Sequence, residues 1–135
     1  MTRGYLNKNA GNIEKGNDVF QGEVIPSRDQ RFKEFKTMAY GYRAMFVTLH
    51  TYLTKYKRDT IVKIISAWAP SVENHTDKYI ECVEKWSGIP RNKVLTPNSG
   101  KEFMQIVAAM SRMENGIPAD IKDVEAGFKL QDRIK

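Results

Sequence analysis

Glu114 is the residue of this chain whose type and placement most directly suggest chemistry. It closes the segment Lys101–Gly116, KEFMQIVAAMSRMENG, in which Phe103, Val107 and Met110 recur at helical spacing with Ile106 and Met113 beside them. At roughly 100° per residue, Glu114 falls within about 20° of Phe103 and so lies on the apolar stripe. A carboxylate there faces the body of the protein, which costs free energy unless it is hydrogen-bonded or stays protonated. Two readings follow. One is a helix-end Glu bonded to a neighbouring backbone amide; the other is a general acid with a raised pKa at the edge of a cleft. A second polar concentration is the start, MTRGYLNKNAGNIEKGND, rich in Gly and Asn. Asn7, Asn9, Gly11 and Asn12 suit turns and side-chain-to-backbone bonds, and an ordered loop of this kind can line a polar site.

The elements that would position these groups read as mainly α. Thr37 caps a long helix to Tyr56, with Tyr40, Ala44, Val47, Thr48 and Tyr52 on one face and Phe46 and Leu49 alongside. Asp59 or Thr60 opens a helix over Ile61–Trp68, which Pro70 ends. The loop Ala69-Pro70-Ser71-Val72-Glu73-Asn74-His75-Thr76 feeds a helix through Asp77–Trp86, with Asn74 as its cap and Gly88 as its stop. Tyr79, Ile80, Val83 and Trp86 face its core. Asn98 or Ser99 opens the Glu114 helix. Pro118 stands at the first position of a last helix to Leu130, with Ile121, Val124, Phe128 and Leu130 inward, and the tail QDRIK frays. Val19–Ile25 and Arg31–Phe35, separated by the turn Pro26-Ser27-Arg28-Asp29, are short strands that could pair as a hairpin. Phe20 and Val24 would point inward. The expected architecture is a single domain, residues 1–135, of four or five helices with a small N-terminal β-hairpin.

Composition excludes more than it selects. Cys82 stands alone with His50 and His75, too few for a zinc site, a disulfide or a nucleophilic triad. No glycine-rich phosphate loop, paired-cysteine motif or HExxH occurs, and no cofactor is expected. No apolar run is long enough to span a bilayer, and no secretory signal is visible, so delivery to a cell wall would need another system. The net charge of +6 favours polyanionic partners. A nucleic-acid reading rests on that charge alone, without a recognition helix, zinc finger or RNP signature, so nucleic acid is not an expected partner. What remains is carboxylates, amides and aromatics, the groups of a sugar-binding cleft and of glycoside cleavage.

The segment Arg3-Gly4-Tyr5-Leu6-Asn7-Lys8-Asn9-Ala10-Gly11-Asn12-Ile13 resembles the RGIRNNNPGNI start of a family of phage virion and prophage proteins. These are often labelled structural protein or lysozyme-like peptidoglycan-degrading protein. The similarity continues through Phe20-Gln21-Gly22, Arg31-Phe32, Tyr40-Gly41, Arg43-Ala44, Trp68-Ala69-Pro70, Glu73-Asn74, Thr76, Tyr79-Ile80 and Glu114-Asn115-Gly116. Ala10 stands where the family usually has Pro, and Met113 where it usually has His. A looser resemblance is to glucosaminidase-type and goose-type lysozyme relatives. There a helix ends in a catalytic Glu, followed downstream by an Asn-rich stretch and an aromatic pattern. Asn9–Ile13 and Phe32, Phe35, Tyr40 and Tyr52 look like those parts, with the Glu-bearing helix moved to the other end of the chain.

These resemblances imply a circularly permuted lysozyme-like domain with the end of the Glu114 helix beside the Asn7–Ile13 loop. They imply a muramidase or lytic transglycosylase acting on peptidoglycan glycan strands, with other virion proteins as further partners. Glu114 would be the general acid. Glu73 would be a second carboxylate if the enzyme inverts, or else a helix N-terminal acid favoured by the macrodipole. Asn7, Asn9, Asn12, Asn74, Thr76 and Tyr79 would contact the sugar or a water, although Tyr79 and Trp68 also fit as core residues. The alternative is a non-catalytic virion or wall-binding module with the same cleft.

Overall fold

A computed structural model describes residues 1–71 and 75–135. The start of the chain, expected to be irregular, forms a single helical turn, α1 (Arg3–Leu6), because the Thr2 hydroxyl accepts from the Tyr5 amide. The chain then doubles back through Asn9 and runs beside a small antiparallel hairpin of β1 (Glu23–Val24) and β2 (Glu34–Phe35), Glu23 opposite Phe35 and Val24 opposite Glu34. The strands are shorter than the expected runs because the intervening turn captures their hydrogen bonds. Ser27 Oγ donates to the Phe32 carbonyl, and Asp29 accepts from the amides of Arg31 and Phe32. Glu14 bridges Phe32, and Phe35 donates to the Asn7 carbonyl, so the start and the hairpin form one lobe. Phe35 is buried in it, whereas Phe20 and Val24 are only half-buried.

The helical body follows. Thr37 caps α2 (Met38–Tyr56) by accepting from the Tyr40 amide. Ala44, Val47, Phe46 and Leu49 are buried as expected, and Tyr42, Met45 and Leu53 are buried with them, because α2 is covered on more than one side. Thr48 and Tyr52 are left half-buried. Thr60 caps α3 (Ile61–Trp68), whose Ile61, Ile64 and Ile65 are fully buried as their spacing predicts. The next helix, α4 (Thr76–Ser87), begins with His75 at the cap position and ends on Gly88 in the left-handed region, φ 74°. Asn74, the expected cap, lies outside the described residues, and Asp77 is the second residue of the helix. Helix α5 (Gly100–Asn115) buries Phe103, Ile106, Val107 and Met110 completely against α4 and α2. Burial of each such side chain contributes about 1.5–3 kcal/mol.

The last helix, α6 (Ile121–Lys129), lies along α2 and starts later than expected, since Asp120 takes the cap position and accepts from the Lys122 amide. Ile121 and Leu130 are exposed, contrary to the expected inward face, while Val124 is buried and Phe128 meets Phe46 edge-on at 5.3 Å. The tail does not fray. Gln131 Nε2 donates to the carbonyls of Phe128 and Ile134, its Oε1 accepts from the amides of Arg133 and Ile134, and Ile134 is 1% exposed.

Two glycines let the lobe and body close on each other. A Cβ on Gly41 of α2 would stand 2.2 Å from the Lys8 carbonyl oxygen, and one on Gly4 would stand 2.5 Å from Asn115 Oδ1. Real Cβ atoms do not approach so closely.

Candidate functional site

A cleft of about 570 Å³ separates the lobe from the helical body. Gly11–Glu14, Arg31 and Phe32 form the lobe wall. Thr48 and Tyr52 of α2, Trp68-Ala69-Pro70 at the end of α3, and Glu114 at the end of α5 form the other. The expected juxtaposition of the Glu114 helix with the Asn-rich loop is present. Asn12 Nδ2 donates to Glu114 Oε1 at 2.9 Å across 102 positions of sequence.

Asn115, the next residue, makes that juxtaposition rigid. Its Nδ2 donates to the carbonyls of Ala10 and Ser111, both at 2.9 Å, and its Oδ1 accepts from Thr2 Oγ1 at 2.7 Å. Gly116 then ends the helix in the left-handed conformation, so the carboxylate stands on the last turn. The Tyr79 hydroxyl reaches up from α4 and donates to Glu114 Oε2 at 2.9 Å. Burial pushes the Glu114 carboxyl above the ordinary Glu range; the bonds from Asn12, Tyr79 and Trp68 oppose this and do not overcome it. Burial, with the neighbouring Glu114 charge, also pushes Tyr79 well up, so its phenol remains a donor. Among the described residues, Glu114 is therefore a cleft carboxyl served by neutral donors. Such a group holds its proton to higher pH than an ordinary Glu and can release it toward the cleft.

Asn12 is held at φ 50°, and its Oδ1 is buried without a hydrogen-bond partner among the described residues. An unmet buried acceptor costs about 1–3 kcal/mol. That cost is tolerated here at the residue that aims an amide at Glu114.

The other expected site residues divide. Asn7 and Asn9 do not face the cleft. Asn9 is fully buried, donating to the carbonyls of Ile13 and Lys33 and accepting from the Ile13 amide. Asn7 is buried and donates to Asp29. Neither residue lines the cleft: Asn9 is committed to backbone partners and Asn7 Nδ2 to Asp29. Tyr79 is 4% exposed and binds the acid rather than a ligand. The Thr76 hydroxyl donates to the Ala69 carbonyl, bracing the cleft wall from behind. Glu73 and Asn74 lie outside the described residues.

Several cleft residues carry no sequence signal as a site. Glu14 is a second carboxylate on the cleft, exposed, and bonded by Arg31 Nε at 2.8 Å and by Arg31 Nη2. Phe32 is flanked by Arg3 and Arg31 at 4.7 and 5.0 Å from its ring centre. Tyr52 packs edge-on against Trp68 at 6.3 Å and carries Arg58 over its ring at 4.7 Å. Only the aromatic pattern that names Phe32 and Tyr52 pointed here; Glu14, Arg31 and Thr48 arrive by tertiary packing. Among the described residues, no group of three or more His, Cys, Asp or Glu side chains is placed to hold a metal ion. No helix among them is long and apolar enough to cross a membrane.

The fold and site define a mainly helical domain with a carboxyl-bearing cleft under a small β lobe. No protein-family model matches the chain. It is 39% identical over 131 residues to Protein P5 of Pseudoalteromonas phage PM2, spanning 94% of this chain and 80% of that protein. The chain belongs to the family of that phage protein.

Proposed function

We propose that the chain is a peptidoglycan-cleaving glycosidase, a muramidase or lytic transglycosylase, with Glu114 as general acid. The observation that carries this is the half-buried Glu114 carboxyl on the cleft, raised in pKa by burial and held by the neutral donors Asn12 and Tyr79. Protonation of a glycosidic oxygen needs such a group, and positioned acids contribute typically ~10²–10⁴-fold to rate. Phe32, Tyr52 and Trp68 supply ring faces and edges for a glycan. Glu14 is the carboxylate on the lobe wall that would orient a water or steady developing positive charge. Glu73, outside the described residues, remains a candidate second carboxylate. A transglycosylase could proceed with Glu114 alone.

The test is Glu114→Gln in a cell-wall turbidity assay. The substitution keeps the shape and removes the proton, so clearance should fall by about 10²-fold or more. Undiminished clearance by a folded variant overturns the assignment.

One observation favours a second reading. Both Glu114 oxygens accept protein hydrogen bonds, as they would in a carboxylate that merely ties Asn12 to Tyr79. The chain would then be a non-catalytic virion or wall-binding module, binding wall without releasing fragments.

A further inference from the structure

The cleft does not end at Tyr52. A second groove of about 350 Å³ uses the same Thr48 and Tyr52 and continues along α2 toward Arg43 and Arg133. The docked tail fixes this far end. Gln131 and Ile134 are buried on either side of Arg133, whose amide is bonded by Gln131 Oε1. Arg43 is half-buried, with its Nε donating to the Leu130 carbonyl at 3.3 Å. Among the described residues, no carboxylate pairs with either guanidinium. The carboxylate that lines the groove, Asp18, lies 3.4 Å from Lys33 Nζ, which also pairs with Glu23 at 3.1 Å, so one acid stands against the two arginines of the groove. The groove is left with an excess of positive charge and two forked donors without an acidic partner. Guanidinium groups match planar oxyanions in both charge and geometry.

We infer that the Arg43–Arg133 groove is an anion subsite continuous with the Glu114 cleft, taking a carboxylate or phosphate carried on a wall glycan. This extends the glycan reading above, but its test needs no bond cleavage. The glycan would cross Thr48 and Tyr52, with its backbone toward Glu114 and its charged substituent reaching the arginines. The oxyanion has two sources in a wall, stem-peptide carboxylates and phosphate-bearing polymers, and the two can be removed separately.

The experiment is co-sedimentation of Glu114→Gln and of the same chain carrying Arg43→Ala and Arg133→Ala with three insoluble probes: intact wall, wall stripped of stem peptides by amidase, and wall stripped of phosphate polymer by acid. Lys78→Ala/Lys85→Ala, which removes two exposed charges from α4, is the charge-matched control. The arginine pair should weaken binding to intact wall by roughly 10- to 100-fold, as expected for loss of charge-assisted bonds. The lysine control should not. The effect should vanish on one of the stripped walls, which names the anion. Equal loss in the arginine and lysine variants, an effect that survives both strippings, or failure of the parent to bind any wall overturns the subsite. Retained clearance by Glu114→Gln would instead overturn the catalytic assignment and leave the subsite standing.

Discussion

Glu114 and Asp29 are the same functional group in two parts of the molecule, and they shift in opposite directions. Asp29, in the lobe, accepts from Arg3 Nε at 2.6 Å and Arg3 Nη2 at 2.8 Å, from Asn7, and from two backbone amides. The Arg3 bonds above all, then Asn7, hold its carboxyl well below the usual carboxylate range. Glu114 also accepts from an Asn side chain, but its other donors are a phenol and the Trp68 indole, and among the described residues no cation pairs with it. Burial therefore dominates and its pKa rises. An Asn neighbour is common to both, so the amide does not decide the direction. A cation and two backbone amides at one site, and burial without a cation at the other, do. The first arrangement fastens a lobe; the second stores a proton beside a cleft.

After the loss of Glu114 itself, the largest effect should come from making Glu114 resemble Asp29. Asn12→Lys puts an ammonium beside the carboxyl, at a position where left-handed φ is already borne by Lys8 and Lys57 elsewhere in the chain. A neighbouring cation lowers a carboxyl pKa by about 1–3 units. The alkaline limb of wall clearance should move acidward by that amount, and activity at neutral pH should fall by about ten-fold or more. An unmoved limb would mean that Glu114 is not the titrating acid.

Next is Gly41→Ala, which attacks the seam between the two regions. The added methyl meets the Lys8 carbonyl, and overpacking of this kind costs about 1–3 kcal/mol or more, read as a lower denaturant midpoint. Tyr79→Phe is milder. Loss of one buried hydrogen bond costs about 1 kcal/mol. Because the phenol favours the ionised form of Glu114, its removal should shift the alkaline limb upward, opposite to Asn12→Lys.

The two carboxyls also leave opposite marks on stability against pH. Glu114 binds its proton more tightly in the folded state. Its stabilisation is thus complete below the unfolded Glu value, about 4.3, and is lost as pH rises through the higher folded value. Glu114→Gln should remove that decline. Asp29 is depressed in the folded state, so its contribution is complete above the unfolded Asp value, about 3.9, and is lost as pH falls toward the folded value. Arg3→Met should lower stability across the range above about 3.9, where that contribution is complete, and flatten the decline on acidification, so that the two chains converge at the lowest pH. Thermal melts across pH distinguish the two patterns.

Local elements were legible in the sequence where one side chain or one period decides them. Thr60 and the Ile61–Ile65 spacing fix α3, Thr37 fixes the start of α2, and Gly88 and Gly116 stop their helices. The placement of Glu114 on the inward stripe was legible from the 3.6-residue period, and its meeting with the Asn-rich loop from family resemblance. The rest depends on bonds between distant segments, which have no period. Nothing local distinguishes Asn9, which closes the loop on Lys33, from Asn12, which faces the acid. Nothing in QDRIK announces that Gln131 will fold the tail onto the body, or that Glu14 will reach the cleft. In α6 the phase of Val124 and Phe128 is as expected, but Ile121 is the first helical residue and Leu130 the cap, and at these two ends the side chains are exposed.

Mass spectrometry of soluble products from purified peptidoglycan tests the central claim most directly. The unaltered chain should release muropeptides, with anhydro-muramic ends if it is a transglycosylase, and folded Glu114→Gln should release almost none. A folded, unaltered chain that binds the wall and releases nothing would contradict the account and leave Glu114 as a structural tie between Asn12 and Tyr79.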